Sequence, residues 1–507
     1  MKKIYIATFL VVATQACRLN DEPATVSPSS VRPTTEIDAL IWQKLQTTGA
    51  FRWNMASEEL VWSALRQSDG VLSVGYKSAG VSSDLRETIH TINIHEGAWQ
   101  QAREQVLNLI LTEERKVTPS LTLADLEAYP EEVLPVLDVR VKSLSTIQKL
   151  RSSGLVRYAE PIGYEPGTSS RAKVASSSGC GSNIADIPLY ENEDYITIAP
   201  GTKSSWHHPF HGVRDAWAKS SGAGVKLMII DTGSSPDQNN LTTNFNQGSS
   251  TGRTIERLVT LPKAYFWSSS ETPNDGCGHG TAMAGAAAGP RGTDGAAAGV
   301  AYNANLVTVR AAADVVLDES REVKGASDAY ILAGNRSDIK IVSMSMGRMT
   351  SSSQLADAIR YAYNKGKLMF CAGGTSFSWT TWYGVTFPAT MPEVQAVTGV
   401  KDRTYDEACN SCHKGSEIDF VVVMEKAANE RHVPTLAMSG DAPSTVGGSS
   451  VATATTAGMA ALLWSRNPGL TRDQVVGQLA AAASNYPNRN GSFGWGRIDI
   501  NKAMPVQ

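Results

Sequence analysis

The chain has 507 residues, 42% hydrophobic and 19% charged, with 43 glycines and 22 prolines. That excludes a mainly disordered chain, and at roughly 150 residues per domain it implies two or three folded units. The 46 basic and 49 acidic side chains leave a formal net charge of -3, which excludes nucleic acid as a default partner, and six cysteines are too few for a disulfide scaffold.

Lys2 and Lys3 precede an apolar run over residues 4–13, and Thr14-Gln15-Ala16 puts small residues at both positions a signal peptidase reads. The run is too short to span a bilayer, so residues 1–16 are expected to be a signal peptide and the protein to be exported. Cys17 follows at once. A cysteine there resembles the acylated residue of bacterial lipoprotein signals, although Thr14 and Gln15 replace the usual large aliphatic and small residues. Two readings stay open: an outer-membrane lipoprotein anchored through Cys17, or a secreted or periplasmic protein in which Cys17 is incidental.

Residues 17–166 form a first region. Within it, residues 134–141 alternate as a half-buried strand does, 143–154 read as a short helix ended by Gly154, and 155–161 read as a second strand. A Ser/Gly-rich stretch over 167–182 has no hydrophobic period and is expected to be an exposed linker. The third region, 183–507, alternates strand and helix. Residues 225–230, 339–344 and 367–371 are short and nearly all apolar, as parallel strands buried on both faces are. Helices are expected at 279–288, 354–365 and 450–465, which predicts an α/β domain with a parallel sheet covered by helices on both faces.

Such sheets carry their chemistry at the carboxyl ends of strands and at the N-termini of the helices that follow. Asp231 ends the first strand, His279 opens a helix rich in small residues, and Ser450 opens another after Gly447-Gly448-Ser449. Singly, each has a plain structural explanation: a turn cap, a turn histidine, a helix cap. Together they form a complete nucleophilic set, in which a hydroxyl attacks, an imidazole takes its proton and a carboxylate orients the imidazole.

Asp231-Thr232-Gly233, His279-Gly280-Thr281 and Gly448-Ser449-Ser450-Val451-Ala452 resemble the three signature segments of the subtilisin-like serine proteases. The resemblance runs from about Trp206 to Ala503 and takes in Ser345-Met346-Gly347, Phe387-Pro388-Ala389 and Gly494-Trp495-Gly496. It implies a subtilisin-like fold and a serine endopeptidase acting on peptides or proteins, with catalytic Asp231, His279 and Ser450. Substrate would pair with Ser345, Met346 and Gly347 and lie near Gly373 and Gly374. Residues 156–165 are similar to the end of the family's inhibitory propeptide. On that resemblance the first region is a small α+β propeptide domain, the protein's own intramolecular inhibitor, removed by self-cleavage within 167–182. A monomer with no required cofactor is expected; many relatives bind calcium, and no ligands for it are assigned here.

Departures from the family pattern are as informative. Ungapped spacing puts Thr375 where the family has an asparagine whose amide donates to the oxyanion; losing such a donor costs about 3 kcal/mol. Ala282 and Ala454 replace a second histidine and a proline. The rival expectation is therefore a catalytically silent relative that keeps the fold as a peptide-binding module.

Other signals point elsewhere. Asp231-Thr232-Gly233 also matches an aspartic-protease loop, but no second such segment supplies the paired carboxylate. Cys409-Asn410-Ser411-Cys412-His413 fits covalent haem attachment or a local disulfide, and its place in an expected hairpin between 394–400 and 419–423 favours the disulfide. His207, His208 and His211 lack a carboxylate or cysteine to complete a zinc site. Cys180 and Cys277 are candidates for a second bridge, and Cys371, on an apolar strand, for a buried thiol.

Overall fold

The computed structural model describes residues 30–167, 180–181, 183–186, 188–264, 267–375 and 383–505. The expected signal peptide, Cys17 and almost all of the expected linker lie outside the described residues.

The N-terminal region is built on a four-stranded sheet of order β2-β3-β1-β4, from β1 (Val71–Tyr76), β2 (Glu127–Tyr129), β3 (Val136–Arg140) and β4 (Val156–Pro161). Every pairing in it is antiparallel. Helices α1 (Thr34–Thr48), α2 (Glu58–Gln67), α3 (Gly97–Glu114) and α4 (Leu144–Ser152) pack on one face. The period of two along β1 separates the faces: Leu72, Val74 and Tyr76 enter this small core, while Val71 and Ser73 point the other way.

The larger region carries a seven-stranded sheet of order β13-β12-β11-β10-β7-β9-β8. Its strands are β7 (Lys226–Asp231), β8 (Ile255–Val259), β9 (Asn305–Arg310), β10 (Ile339–Met344), β11 (Leu368–Ala372), β12 (Gln395–Lys401) and β13 (Ile418–Glu425). All neighbours run parallel. Two further hairpins pair β5 (Tyr195–Ile198) with β6 (Thr202–Ser205) and β14 (Val433–Thr435) with β15 (Ser444–Val446). Along β7, Leu227 and Ile229 face α5 (His279–Ala288) and α8 (Gly448–Arg466), while Met228 and Ile230 face α6 (Ser320–Asn335) and α7 (Ser353–Asn364). The sheet is thus covered on both sides, as the apolar strand runs require.

The expected hairpin around Cys409 is not one. β12 and β13 pair in parallel, so the segment between them crosses back over the sheet end, as parallel neighbours demand.

The two regions meet where the outer face of the small sheet lies on α6 and α7. Glu160 accepts from the Ser353 N–H and Oγ at 2.9 and 2.7 Å, capping α7. Asp69 does the same for Ser320 at the start of α6. Three ion pairs with almost wholly buried side chains cross the join: Arg157–Asp357 at 2.7 Å, Lys324–Glu131 at 3.0 Å and Arg348–Glu165 at 3.1 Å.

Candidate active site

Strand order reverses between β7 and β10, and the end of each brings one part of the site. Asp231 closes β7 fully buried. Its Oδ1 accepts from Thr232 N–H at 2.8 Å and from His279 Nδ1–H at 2.8 Å, while Oδ2 is buried with no partner among the described residues. His279 is the first residue of α5, and Gly278 ahead of it has φ +89°. The helix start can sit against Asp231 because residue 280 has no side chain: a Cβ there would lie 2.2 Å from the Gly233 carbonyl oxygen.

Asp275 organises this loop, and sequence reasoning missed it. Its carboxylate accepts from the N–H groups of Cys277, Gly278 and Thr281 and from the hydroxyls of Thr232 and Thr281. An aspartate four residues ahead of a glycine-flanked histidine was the available signal, since aspartate is favoured where a helix start leaves N–H groups unpaired. Burial alone pushes the His279 imidazole down, but the Asp231 carboxylate, helped by Asp275 and Asp314, outweighs it, and the group titrates above its ordinary value.

Ser450 lies in the first turn of α8, where backbone N–H groups have no intrahelical acceptor. Its hydroxyl faces the Ser345 carbonyl at 3.5 Å, and Ser345 Oγ donates back to the Ser450 carbonyl at 3.0 Å. No hydrogen bond joins Ser450 Oγ to His279 among the described residues, though both line one cleft of about 320 Å³. Thr375 lines the same cleft, with its Oγ1 3.1 Å from Ser449 Oγ. Ser449 is fully buried and its Oγ already accepts from Gly374 N–H at 3.2 Å.

The expected substrate-binding residues are placed as follows. Ser345, Met346 and Gly347 extend β10 beyond Met344, with Ser345 beside Ser450. The N–H and carbonyl of Gly347 are taken, bonding to Val315 and Leu317. Gly373 bonds to Val397 and Thr386, and Gly374 to Ser449 and His413, so neither glycine presents a free backbone group.

The remaining candidates resolve plainly. Cys180–Cys277 and Cys409–Cys412 are disulfides and Cys371 is a buried free thiol. His207 and His208 bond to Ser205 and Ser204, and His211 to Ile498 and Val423. Burial holds all three imidazoles low, His208 at about 3 and His211 at about 4, so they pack as neutral core groups.

A buried Asp–His pair at the end of a parallel strand, opening on a serine at a helix start, is the constellation of a serine hydrolase. Residues 222–496 match the subtilase family, and the chain belongs to it. It is 27% identical over 272 residues to subtilisin from Bacillus sp. (strain TA39), covering 51% of this chain and 61% of that one; the chain thus spans about three fifths of that relative's length. Against subtilisin DY from Bacillus licheniformis it is 28% identical over 290 residues, covering 56% of this chain and 92% of that one. The crystal structure of MycP1 from Mycobacterium smegmatis superposes with a TM-score of 0.48 at 19% identity, covering 65% of this chain and 89% of that chain.

Proposed function

We propose that the protein is an exported, self-processing serine endopeptidase. The observation that carries this is the 2.8 Å bond between His279 Nδ1 and Asp231 Oδ1, buried behind a cleft that Ser450 also lines. Ser450 Oγ attacks the peptide carbonyl while His279 Nε2 takes its proton and then hands it to the leaving amine; water, activated by the same imidazole, frees the acyl group. Asp231 holds Nδ1 protonated and stabilises the imidazolium. The Ser450 N–H and the Thr375 hydroxyl serve as the oxyanion donors. The contact between Ser449 and Thr375 supports this: Ser449 Oγ accepts from Gly374 N–H and lies 3.1 Å from Thr375 Oγ1, and with Ser449 as the donor there the Thr375 proton is left for the cleft.

The N-terminal region acts as the intramolecular inhibitor, and its caps on α6 and α7 support that role. Cleavage falls within 167–182, leaving residues 183–507 as the catalytic domain. If the cut falls ahead of Cys180, which is disulfide-bonded to Cys277, a lipid on Cys17 would anchor the inhibitor region and leave the catalytic domain joined to it only by non-covalent contacts.

One observation favours the silent, peptide-binding alternative: Ser450 Oγ is turned to the Ser345 carbonyl rather than to His279. In free enzymes such catalytic bonds are often loose and tighten only with substrate. Labelling the full-length protein and its Ser450→Ala variant with a fluorophosphonate, followed by gel sizing, separates the readings. A peptidase gives a labelled, shortened wild type and an unlabelled, full-length variant. Two unlabelled full-length chains, both folded, would move the alternative ahead.

A further inference from the structure

The cleft beside Ser450 has a wall made by the end of the expected linker and the chain that follows it. Gly181, Asn183, Ile184 and Asp186 line it together with His279, Thr375, Val446 and Ser450. Each end of this wall is fixed. Cys180 is disulfide-bonded to Cys277, two residues before His279. Asn183 Nδ2 donates to the Gly278 and Leu436 carbonyls at 2.9 and 3.3 Å, and its own carbonyl accepts from Met438 N–H at 2.9 Å. Asp186 accepts from the Thr445 N–H at 2.6 Å and from the Thr445 hydroxyl, and its N–H donates to the Pro443 carbonyl. The wall therefore ties the histidine loop to the strand that leads into the serine helix.

Between these anchors Ile184 is 70% exposed. A large aliphatic side chain held out by pinned neighbours, in a cleft that Val446 also lines, has an apolar surface that nothing among the described residues covers. The described residues lining this cleft include none of Ser345, Met346 and Gly347, the segment expected to pair with the substrate. Ile184 thus stands apart from that segment.

We propose that Ile184 is a specificity-determining residue, contacting an apolar side chain just after the scissile bond, and that the Cys180–Cys277 disulfide keeps this wall in place once the linker is cut. The proposal rests on the serine endopeptidase reading. Its physical basis is the burial of two aliphatic surfaces on each other, which in enzyme pockets discriminates by about 10-fold or more.

The test uses the self-processed protein and two internally quenched peptides. They share the acyl-side sequence that wild type cuts best in a peptide digest and differ only in leucine or lysine directly after the scissile bond. The leucine peptide is expected to be preferred by about 10-fold in kcat/KM, and Ile184→Asp is expected to abolish or reverse that ratio. Because the ratio is internal to each preparation, partial misfolding of a variant cancels. Cys180→Ser with Cys277→Ser is expected to lose the same preference after processing. A wild type that cuts both peptides with an equal ratio, or an Ile184→Asp variant with an unchanged one, overturns the proposal while leaving the protease reading intact. A wild type that neither reacts with fluorophosphonate nor cuts any peptide overturns both.

Discussion

Gly347 and Val316 stand opposite each other in a parallel bridge, with Gly347 N–H on the Val315 carbonyl and the Gly347 carbonyl on Leu317 N–H, each at 3.1 Å. Two segments that could flank an extended substrate are therefore bonded to each other. A peptide adding itself at Gly347 must first part them, exchanging these bonds for its own. In the full-length Ser450→Ala chain the amides of Gly347 and Leu317 are expected to be protected from hydrogen exchange. Exchange at the rate of an open loop would show that the edge is free.

On the proposed mechanism, the raised pKa of His279 would set the acid limb of activity. Catalysis needs the neutral imidazole, so activity should rise with pH through a midpoint above the ordinary histidine value of 6.5. Asp231→Asn removes the charge that raises it, and the limb should move to lower pH while kcat falls by about 10⁴-fold. A pH–rate profile of both proteins checks the two effects separately.

Thr375 offers a graded test of the oxyanion donor. Thr375→Ala removes the hydroxyl and should lower kcat by about 10-fold or more, with KM little changed, because the donor acts on charge that develops in the transition state. Thr375→Asn supplies an amide and should equal or exceed wild type. Equal kcat for all three would mean that residue 375 gives the oxyanion nothing.

The join between the two regions should weaken as pH rises. Asp138 lies in it beneath Gln354, which donates to it at 2.7 Å, and burial drives its carboxyl up to about 7 against the pull of Lys324. A carboxyl raised in the folded state contributes stability that is complete below its unfolded value and is lost as pH passes its folded value. Thermal melts of the Ser450→Ala chain should therefore fall between about pH 4 and pH 8, the window set by that shift, and Asp138→Asn should flatten this fall. A parallel slope in both proteins would assign the pH dependence to other groups.

The positions of the candidate set, Asp231, His279 and Ser450, were legible in the sequence because each sits at a strand end or helix start that local pattern already marks. The supports of that set were not. Asn183 meets Leu436 and Asp186 meets Thr445 across 253 and 259 residues, and no local period reports such contacts. The direction of β13 was also hidden, since an apolar strand buried on both faces reads the same whether its neighbour runs with it or against it. In the first region the sequence pattern marked β3, α4 and β4. It left α1 to α3 unassigned, since polar residues are threaded among positions such as Val106 and Ile110 that enter the core.

The three ion pairs across the join have a consequence for how the regions come apart. Replacing one partner, as in Arg348→Ala, strands a charge away from water and costs about 3–5 kcal/mol. Parting the whole seam instead lets water reclaim both ions of every pair, which refunds much of their desolvation. The seam is thus brittle toward a single edit and forgiving toward complete separation, and the faces of α6 and α7 it uncovers carry wettable charges, Lys324 and Asp357 among them, that disfavour clumping.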